Sequence, residues 1–239
     1  MRRFIGGMIA LLLVFPAISC AGFLDDVKNV IGEVSGKKLD ERTIVKGLKE
    51  ALDVGTKKAV NKVSKKDGYF GNNIIRIVMP KKMRDVADVM TRIGLKKEVD
   101  NFVVSMNRAA EKAAPEAVSI FVDAIKGMTI NDARNILEGS DTAATEFFKV
   151  KTTDSLTVAF KPIVSSAMND VGVTREYKNL ISKYERVPFV SSVSVDLDSY
   201  VTEQALNGLF YMVGEEEKKI RKDPAARVTE LLKKVFGGK

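Results

Sequence analysis

The C-terminal stretch, residues 199–236, constrains the fold most, because apolar side chains recur in it with the period of an α-helix. Leu206 and Leu209 mark its apolar stripe, and the pattern breaks once, at Asp223-Pro224. An aspartate followed by proline is typical of a helix start, since the carboxylate accepts hydrogen bonds from open amides and proline lacks only a donor that would be unpaired anyway. The stretch therefore predicts two consecutive helices.

Apolar stripes with the same helical period occupy most of the remaining chain. Strand-like alternation appears only at residues 74–78 and 190–195, which could pair with each other. With 45% apolar residues the chain can bury a substantial core. We therefore predict an all-α fold, a single bundle-like domain of about ten helices with at most one minor two-stranded hairpin.

Short polar and glycine signals predict where several helices begin and end. Thr129 and Asp132 have the spacing of a capping box, and Gly172 is expected to stop a helix. Asp141 is the expected N-cap of the helix that follows residue 140. Pro162 lies inside a helical pattern, so it predicts either a kink or a fresh helix start.

The N-terminus has the three parts of an export signal: Arg2 and Arg3, an apolar segment at residues 4–15 and a small-residue exit. The apolar segment is shorter than the roughly 20 residues that a membrane span needs. Cys20 is the only cysteine, and the Ala17-Ile18-Ser19 before it resembles the lipobox of bacterial lipoproteins, although that motif usually has leucine where Ala17 stands.

This resemblance implies a lipoprotein-type signal peptide at residues 1–20, lipid attachment at Cys20 and a helical domain at residues 21–239. The protein is then expected outside the cytoplasm, in the bacterial cell envelope, and bound to the membrane by its lipid. Two alternatives remain open. Cleavage after Ala21 would release a soluble periplasmic or secreted protein, and an uncleaved leader would act as an anchor.

The composition removes most catalytic chemistry, because the chain has no histidine and no cysteine after Cys20. Zinc, copper and haem sites lose their usual ligands, and catalytic triads lose their base. No Walker A or dinucleotide-binding glycine pattern is present. We therefore predict no catalytic, cofactor or metal site.

Polar residues near the apolar stripes are expected to serve the fold. Asn107, Arg108 and Asp123 are predicted to form buried hydrogen bonds. The carboxylates most open to a catalytic interpretation are expected to be helix caps and solvated surface charge. They are Asp196, Asp198, Glu215, Glu216 and Glu217.

Charge is distributed unevenly along the chain. Residues 21–97 hold 18 basic and 10 acidic residues, a net charge of +8, whereas residues 98–239 hold 19 basic and 21 acidic residues, a net charge of −2. A basic face attracts polyanions through a salt-dependent field, and an exported protein meets anionic lipid and envelope polymer rather than nucleic acid. The alternative is an ordinary solvated lysine-rich face. The candidate contacts are Lys57, Lys58, Lys62, Lys65, Lys66, Lys81, Lys82 and Arg84.

Several segments resemble the bacterial domain-of-unknown-function family 4197, over roughly residues 46–237. They are NRAAEKA at 107–113, FVDAI at 121–125, MTI at 128–130, FKPI at 160–163, GLFY at 208–211 and, most distinctively, EEEKKIRKDPAAR at 215–227. The resemblance implies an exported helical protein. That family carries no assigned activity, so it transfers no functional residue.

The combined prediction is a non-enzymatic envelope lipoprotein that acts as a helical binding or interaction module. Its expected partners are the membrane, through the anchor at Cys20, and anionic lipid or envelope polymer; no protein partner is specified. Two other functions remain open: a carrier that holds an apolar ligand between helices, and an enzyme that uses carboxylates or Tyr211 in an interhelical cleft.

Overall fold

A computed structural model describes residues 41–170, 172–190, 194–227, 229, 230, 233 and 235. The chain divides into two units between residues 39 and 40, and every described residue belongs to the second unit. The leader, Cys20 and the helical pattern at residues 23–34 therefore lie outside the described residues.

The described residues form α-helices joined by turns and short 3₁₀ segments, which confirms the all-α prediction. The helices are α1 (Glu41–Val63), α2 (Arg84–Arg92), α3 (Lys96–Ala113), α4 (Ala117–Lys126), α5 (Ile130–Glu138), α6 (Ala143–Asp170), α7 (Val173–Tyr184) and α8 (Leu197–Lys222). These eight are fewer than the predicted ten or so. The two predicted helices that are not among them, at residues 23–34 and 224–236, lie wholly or largely outside the described residues.

Helix α8 lies at the centre of the packing and contacts α1, α6 and α3. It runs antiparallel to α6, since Glu217 near its C-terminus bonds to Thr145 while Ser199 near its N-terminus bonds to Lys161. Helix α3 packs on α6 and α7, α4 bridges α1 and α6, and α2 covers α3 and α7. Among the described helices, none combines the length and the apolar character that crossing a membrane would require.

The core contains a group of aromatic rings where α4, α6 and α8 meet. The Phe121 ring lies 5.2 Å from that of Phe148 and 6.1 Å from that of Phe210, between ring centroids. All three side chains are buried. Burying a phenylalanine stabilises a fold by up to about 3 kcal/mol, so this group holds the three helices together.

Most of the predicted helix boundaries are confirmed. Thr129 and Asp132 form a reciprocal capping box, and Gly172 precedes α7 with a left-handed backbone, φ +82°. Asp223 accepts a hydrogen bond from the Ala225 amide beside Pro224. Helix α6 continues through Pro162, so the fresh start considered for that residue is wrong.

The described part of the chain contains no strand, which agrees with the prediction of at most one minor hairpin; residues 191–193 lie outside it. The alternation itself is real, because Ile75 and Ile77 are buried while Ile74 and Val78 are exposed. The side chain of Asn107 takes the place of a neighbouring strand. Its oxygen accepts from the Ile77 amide at 2.9 Å and its nitrogen donates to the Ile77 carbonyl at 2.7 Å, so this extended segment binds to α3 through one amide.

Candidate anionic-surface contact site

Five of the predicted surface cations belong to the end of α1 and the turn after it. Lys57 forms an ion pair with Asp53 at 2.8 Å, and Lys62 forms one with Glu216. The other three form no salt bridge within the described residues. We call these three, Lys58, Lys65 and Lys66, the α1 cations.

The other three predicted cations, Lys81, Lys82 and Arg84, lie where the chain enters α2. All three are exposed, and none of them forms a salt bridge in the part of the chain that the structure describes. We call them the α2 cations.

The two groups follow segments that contact different positions of α8. Lys62, beside the first group, contacts α8 at Glu216, whereas Val78, just before the second, contacts it at Tyr200. These α8 positions are 16 residues apart (216 − 200), which is about 24 Å along a helix.

Arg76 is a cation that the sequence analysis missed. It lies between the two groups in the chain, is exposed, and holds its guanidinium 4.1 Å from the centre of the Phe70 ring. It makes no salt bridge to a described residue. Its position on the exposed side of the alternating segment at residues 74–78 was the available signal.

An open groove of about 510 Å³ lies beside the α2 cations. We call it the Pro80 groove; it is lined by Val78, Met79, Pro80, Lys81, Lys82, Arg84, Ser194, Val195, Asp196, Tyr200, Glu203 and Gln204. It combines apolar side chains with charges of both signs. Asp196 is committed to the fold, because it accepts hydrogen bonds from the Ser199 amide at 3.0 Å and the Ser199 hydroxyl at 2.7 Å. These bonds hold the pKa of Asp196 below its usual value.

Tyr200 joins the two sides of the Pro80 groove. Its hydroxyl donates to the Val78 carbonyl at 2.9 Å, which fixes the extended segment against α8. Burial raises the pKa of Tyr200, the positive charge of Arg84 opposes that rise, and the negative charge of Glu203 adds to it. Glu203 forms no salt bridge with any described residue.

A second groove, of about 470 Å³, lies between α6 and α8. Its two lysines are already paired: Lys149 with Glu146 at 2.9 Å and Lys161 with Asp196 at 3.9 Å. The buried hydroxyl of Thr202, which lines this groove, has no hydrogen-bond partner in the described part of the chain. Unlike the Pro80 groove, this one offers no unpaired cation among the residues that line it.

The acidic run at the end of α8 corrects the prediction of a solvated face. Glu215 is at the surface, but Glu216 and Glu217 are only 5% and 7% exposed. Glu217 accepts from the Ala144 and Thr145 amides, both at 2.9 Å, and therefore caps α6 from another helix. Asp141, the predicted cap, is exposed and pairs with Lys222 instead.

Arg221 completes the Glu217 cluster. It lies 2.9 Å from Glu217 and donates to the Ile136 carbonyl at 2.7 Å, which joins α8 to α5. Glu216 is neutralised separately. Burial would raise the pKa of Glu216, but the hydrogen bond and charge of Lys62, together with Lys219, hold it below its usual value. Both glutamates therefore stabilise helix contacts.

The three residues that were predicted to form buried hydrogen bonds have different outcomes. Asn107 is fully buried, as predicted. Arg108 bridges Glu111 and Asp67, each at 2.6 Å, and Glu111 accepts from the Tyr69 amide, so this cluster ties the turn after α1 to α3. Asp123 contradicts the prediction, since its side chain is 76% exposed and pairs with Lys126.

The groups proposed for catalysis do not converge. Asp196 is a helix cap as predicted, Glu216 and Glu217 are bound within the fold, and Tyr211 is exposed on α8. No three described Asp, Glu, His or Cys residues lie together as a metal site would require. The interior cavity beside Gly55, lined mainly by apolar side chains, measures about 20 Å³, room for about one water molecule rather than an apolar cargo.

A comparison with curated proteins found no match, and a comparison with solved structures found none either. One family model matches residues 38–237, and its description is "Protein of unknown function (DUF4197)". This range contains every described helix and both groups of cations. The match confirms the resemblance carried by the segments around residues 107–130 and 208–227, and the chain belongs to the DUF4197 family.

Proposed function

We propose that this protein is a non-enzymatic binding module of the bacterial envelope, exported, anchored by lipid at Cys20 and attracted to anionic lipid or envelope polymer. One observation carries the proposal: cations in the basic half of the chain remain without acidic partners in the described structure. Charges that stabilise a fold are usually paired, as Lys62 and Arg221 are here. Unpaired cations are free to meet an external anion.

Electrostatic attraction supplies the binding energy in this proposal. A lysine or arginine close to an anionic membrane contributes about 1 kcal/mol, and the field decays over about 8 Å at physiological salt. Each cation therefore contributes only when it lies within this distance of the anionic surface. Binding should therefore increase with the number of cations in contact and weaken as salt rises.

The anchor is tested by changing Cys20→Ala and labelling cells with radioactive palmitate. The variant should lose the label and leave the membrane fraction, because the thiol that carries the lipid is gone. Equal partitioning of both proteins, with no label in either, would contradict the lipoprotein proposal and favour a secreted protein or an uncleaved leader.

The surface contact is tested by sedimenting the chain lacking residues 1–20 with vesicles. It should bind vesicles that contain anionic lipid, bind neutral vesicles weakly, and dissociate as salt is raised. Equal binding to both kinds of vesicle, or none at low salt, would show that the lysine-rich surface is merely solvated.

A further inference from the structure

The Pro80 groove differs from the rest of the basic surface because its cations lie beside apolar side chains. Val78 is 52% exposed, and the largely buried Met79 and Pro80 also contribute to the groove wall next to Lys81 and Arg84. Attraction by charge alone does not involve an exposed valine. This combination matches a ligand that is anionic at one end and apolar next to it.

The charges of the groove favour a single phosphate group. Of its two carboxylates, Asp196 accepts hydrogen bonds from Ser199 and lies 3.9 Å from Lys161, so its negative charge is already engaged by other groups. Glu203 is then the only unpaired acid lining the groove among the described residues, against three α2 cations. The three cations therefore outnumber the two carboxylates that line the groove, and cations of this kind form strong, charge-assisted hydrogen bonds with phosphate oxygens.

We infer that the Pro80 groove binds the headgroup of an anionic phospholipid, with the phosphate at the α2 cations and the first apolar part of the lipid against Val78 and Met79. This inference rests on the proposed function and assigns a specific site within it. The exposed valine favours a lipid over free phosphate, which would contact only the cations. Tyr200 suits this position, because tyrosine places an apolar ring and a polar tip at a membrane interface.

The test uses the protein as cells process it, purified in a nonionic detergent, and titrates it calorimetrically with dibutyroyl phosphatidylglycerol. Binding should weaken at least about fivefold for each of Lys81→Ala and Arg84→Ala, since each removes one cation from the phosphate. Glu203→Gln should strengthen binding, because it removes the unpaired negative charge. The matched control, Lys151→Ala with Lys178→Ala, removes the same kind of charge at exposed positions outside both groups of cations and should leave this binding unchanged.

Hydrogen exchange locates the site: the lipid should protect residues 78–84 and 196–204 more than the end of α1. Inorganic phosphate should bind more weakly than the lipid, and equal binding would overturn the inference in favour of a free-anion site. Equal weakening by groove and control variants would also overturn it. If anionic vesicles bind and depend on Lys65 and Lys66 while the groove variants change nothing, the proposed function stands and the groove inference fails.

Discussion

At the C-terminal end of α8, Glu216, Glu217 and Arg221 are all held in ion pairs inside the fold. Near its N-terminal end, Glu203 and the α2 cations line the same groove without forming salt bridges in the described structure. The bonds of the first region join α8 to α1, α5 and α6, and each of these three charged side chains has a partner within the fold. In the second region, the bonds of Tyr200 and Asp196 serve the fold, whereas Glu203 and the α2 cations form none of these bonds. The difference suggests that the first set of charges stabilises the protein and the second is available to a partner.

The largest test of this comparison is Glu217→Ala, which should lower the free energy of unfolding by about 3–5 kcal/mol. The change removes the carboxylate that pairs with Arg221 and that accepts from the Ala144 and Thr145 amides. Urea unfolding followed by circular dichroism measures the loss. Glu215→Ala is the matched control, since its partially exposed side chain pairs only with Lys218, and it should cost less than about 1 kcal/mol. Equal losses of unfolding free energy in the two variants would show that the buried Glu217 cluster stabilises the fold no more than the Glu215 pair does.

The second test concerns the contact between α8 and the turn after α1, at Gly208. A Cβ atom at this position would lie 2.7 Å from the Tyr69 ring and 3.1 Å from the Cβ atom of Ile75. Both neighbours are buried, and the Tyr69 hydroxyl is fixed by the Ala205 carbonyl at 2.7 Å. Gly208→Ala should therefore cost about 1–3 kcal/mol through overpacking.

Gly127→Ala is the control for Gly208→Ala. Its backbone has an ordinary φ of −72°, and the nearest atom to an added Cβ is 3.5 Å away. This change should be neutral or stabilise by up to about 1 kcal/mol. Similar losses in both variants, measured as shifts in the urea midpoint, would mean that the close approach of Tyr69 to α8 is not a significant constraint.

The sequence predicted helices well because their signals are local. The stripe with Phe102 and Met106, the capping box at Thr129 and the Asp223-Pro224 junction all depend on residues within a few positions of one another. Asp141 also looked like a local cap, but Glu217, more than 70 positions away, reaches the open amides of α6. No local pattern contains that information.

The alternating segment at residues 74–78 shows the same limit of local patterns. Alternation predicts which side chains are buried, and Ile75 and Ile77 are buried accordingly. It does not predict what satisfies the backbone, and here one side chain, Asn107, does so from α3. The candidate site has the same limit, because the sequence could not show that Lys62 pairs with Glu216, which lies 154 positions away.

The pH dependence of stability offers a third test of the paired region. The pKa of folded Glu216 is below its ordinary value of 4.5, so ionised Glu216 stabilises the fold above that pH. This contribution should disappear as the pH falls through the folded pKa, because the protonated group no longer pairs with Lys62. Urea midpoints should therefore fall on acidification less steeply in Glu216→Gln than in the unchanged protein. Parallel curves would indicate that the Lys62 pair does not contribute.

The double variant Lys65→Glu with Lys66→Glu should have the smallest effect on stability. Its effect on vesicle binding should be large by comparison. These exposed α1 cations form no salt bridge in the described structure, so the reversal should change the free energy of unfolding by less than about 0.5 kcal/mol. Anionic-vesicle binding should nevertheless weaken by more than about fivefold per residue, since each reversal replaces attraction with repulsion. Reversing Lys62 instead would place a second carboxylate beside Glu216 and destabilise the fold.

The matched control for this last prediction is Lys151→Glu with Lys178→Glu, which makes the same charge change at exposed positions on α6 and α7, in the acidic half of the chain. If binding follows net charge alone, both pairs of reversals will weaken it equally in vesicle sedimentation. If the unpaired cations near the end of α1 form a contact surface, only the first pair will. A loss of stability in Lys65→Glu with Lys66→Glu would instead show that these lysines belong to the structural charges, and the division between paired and available charge would not hold.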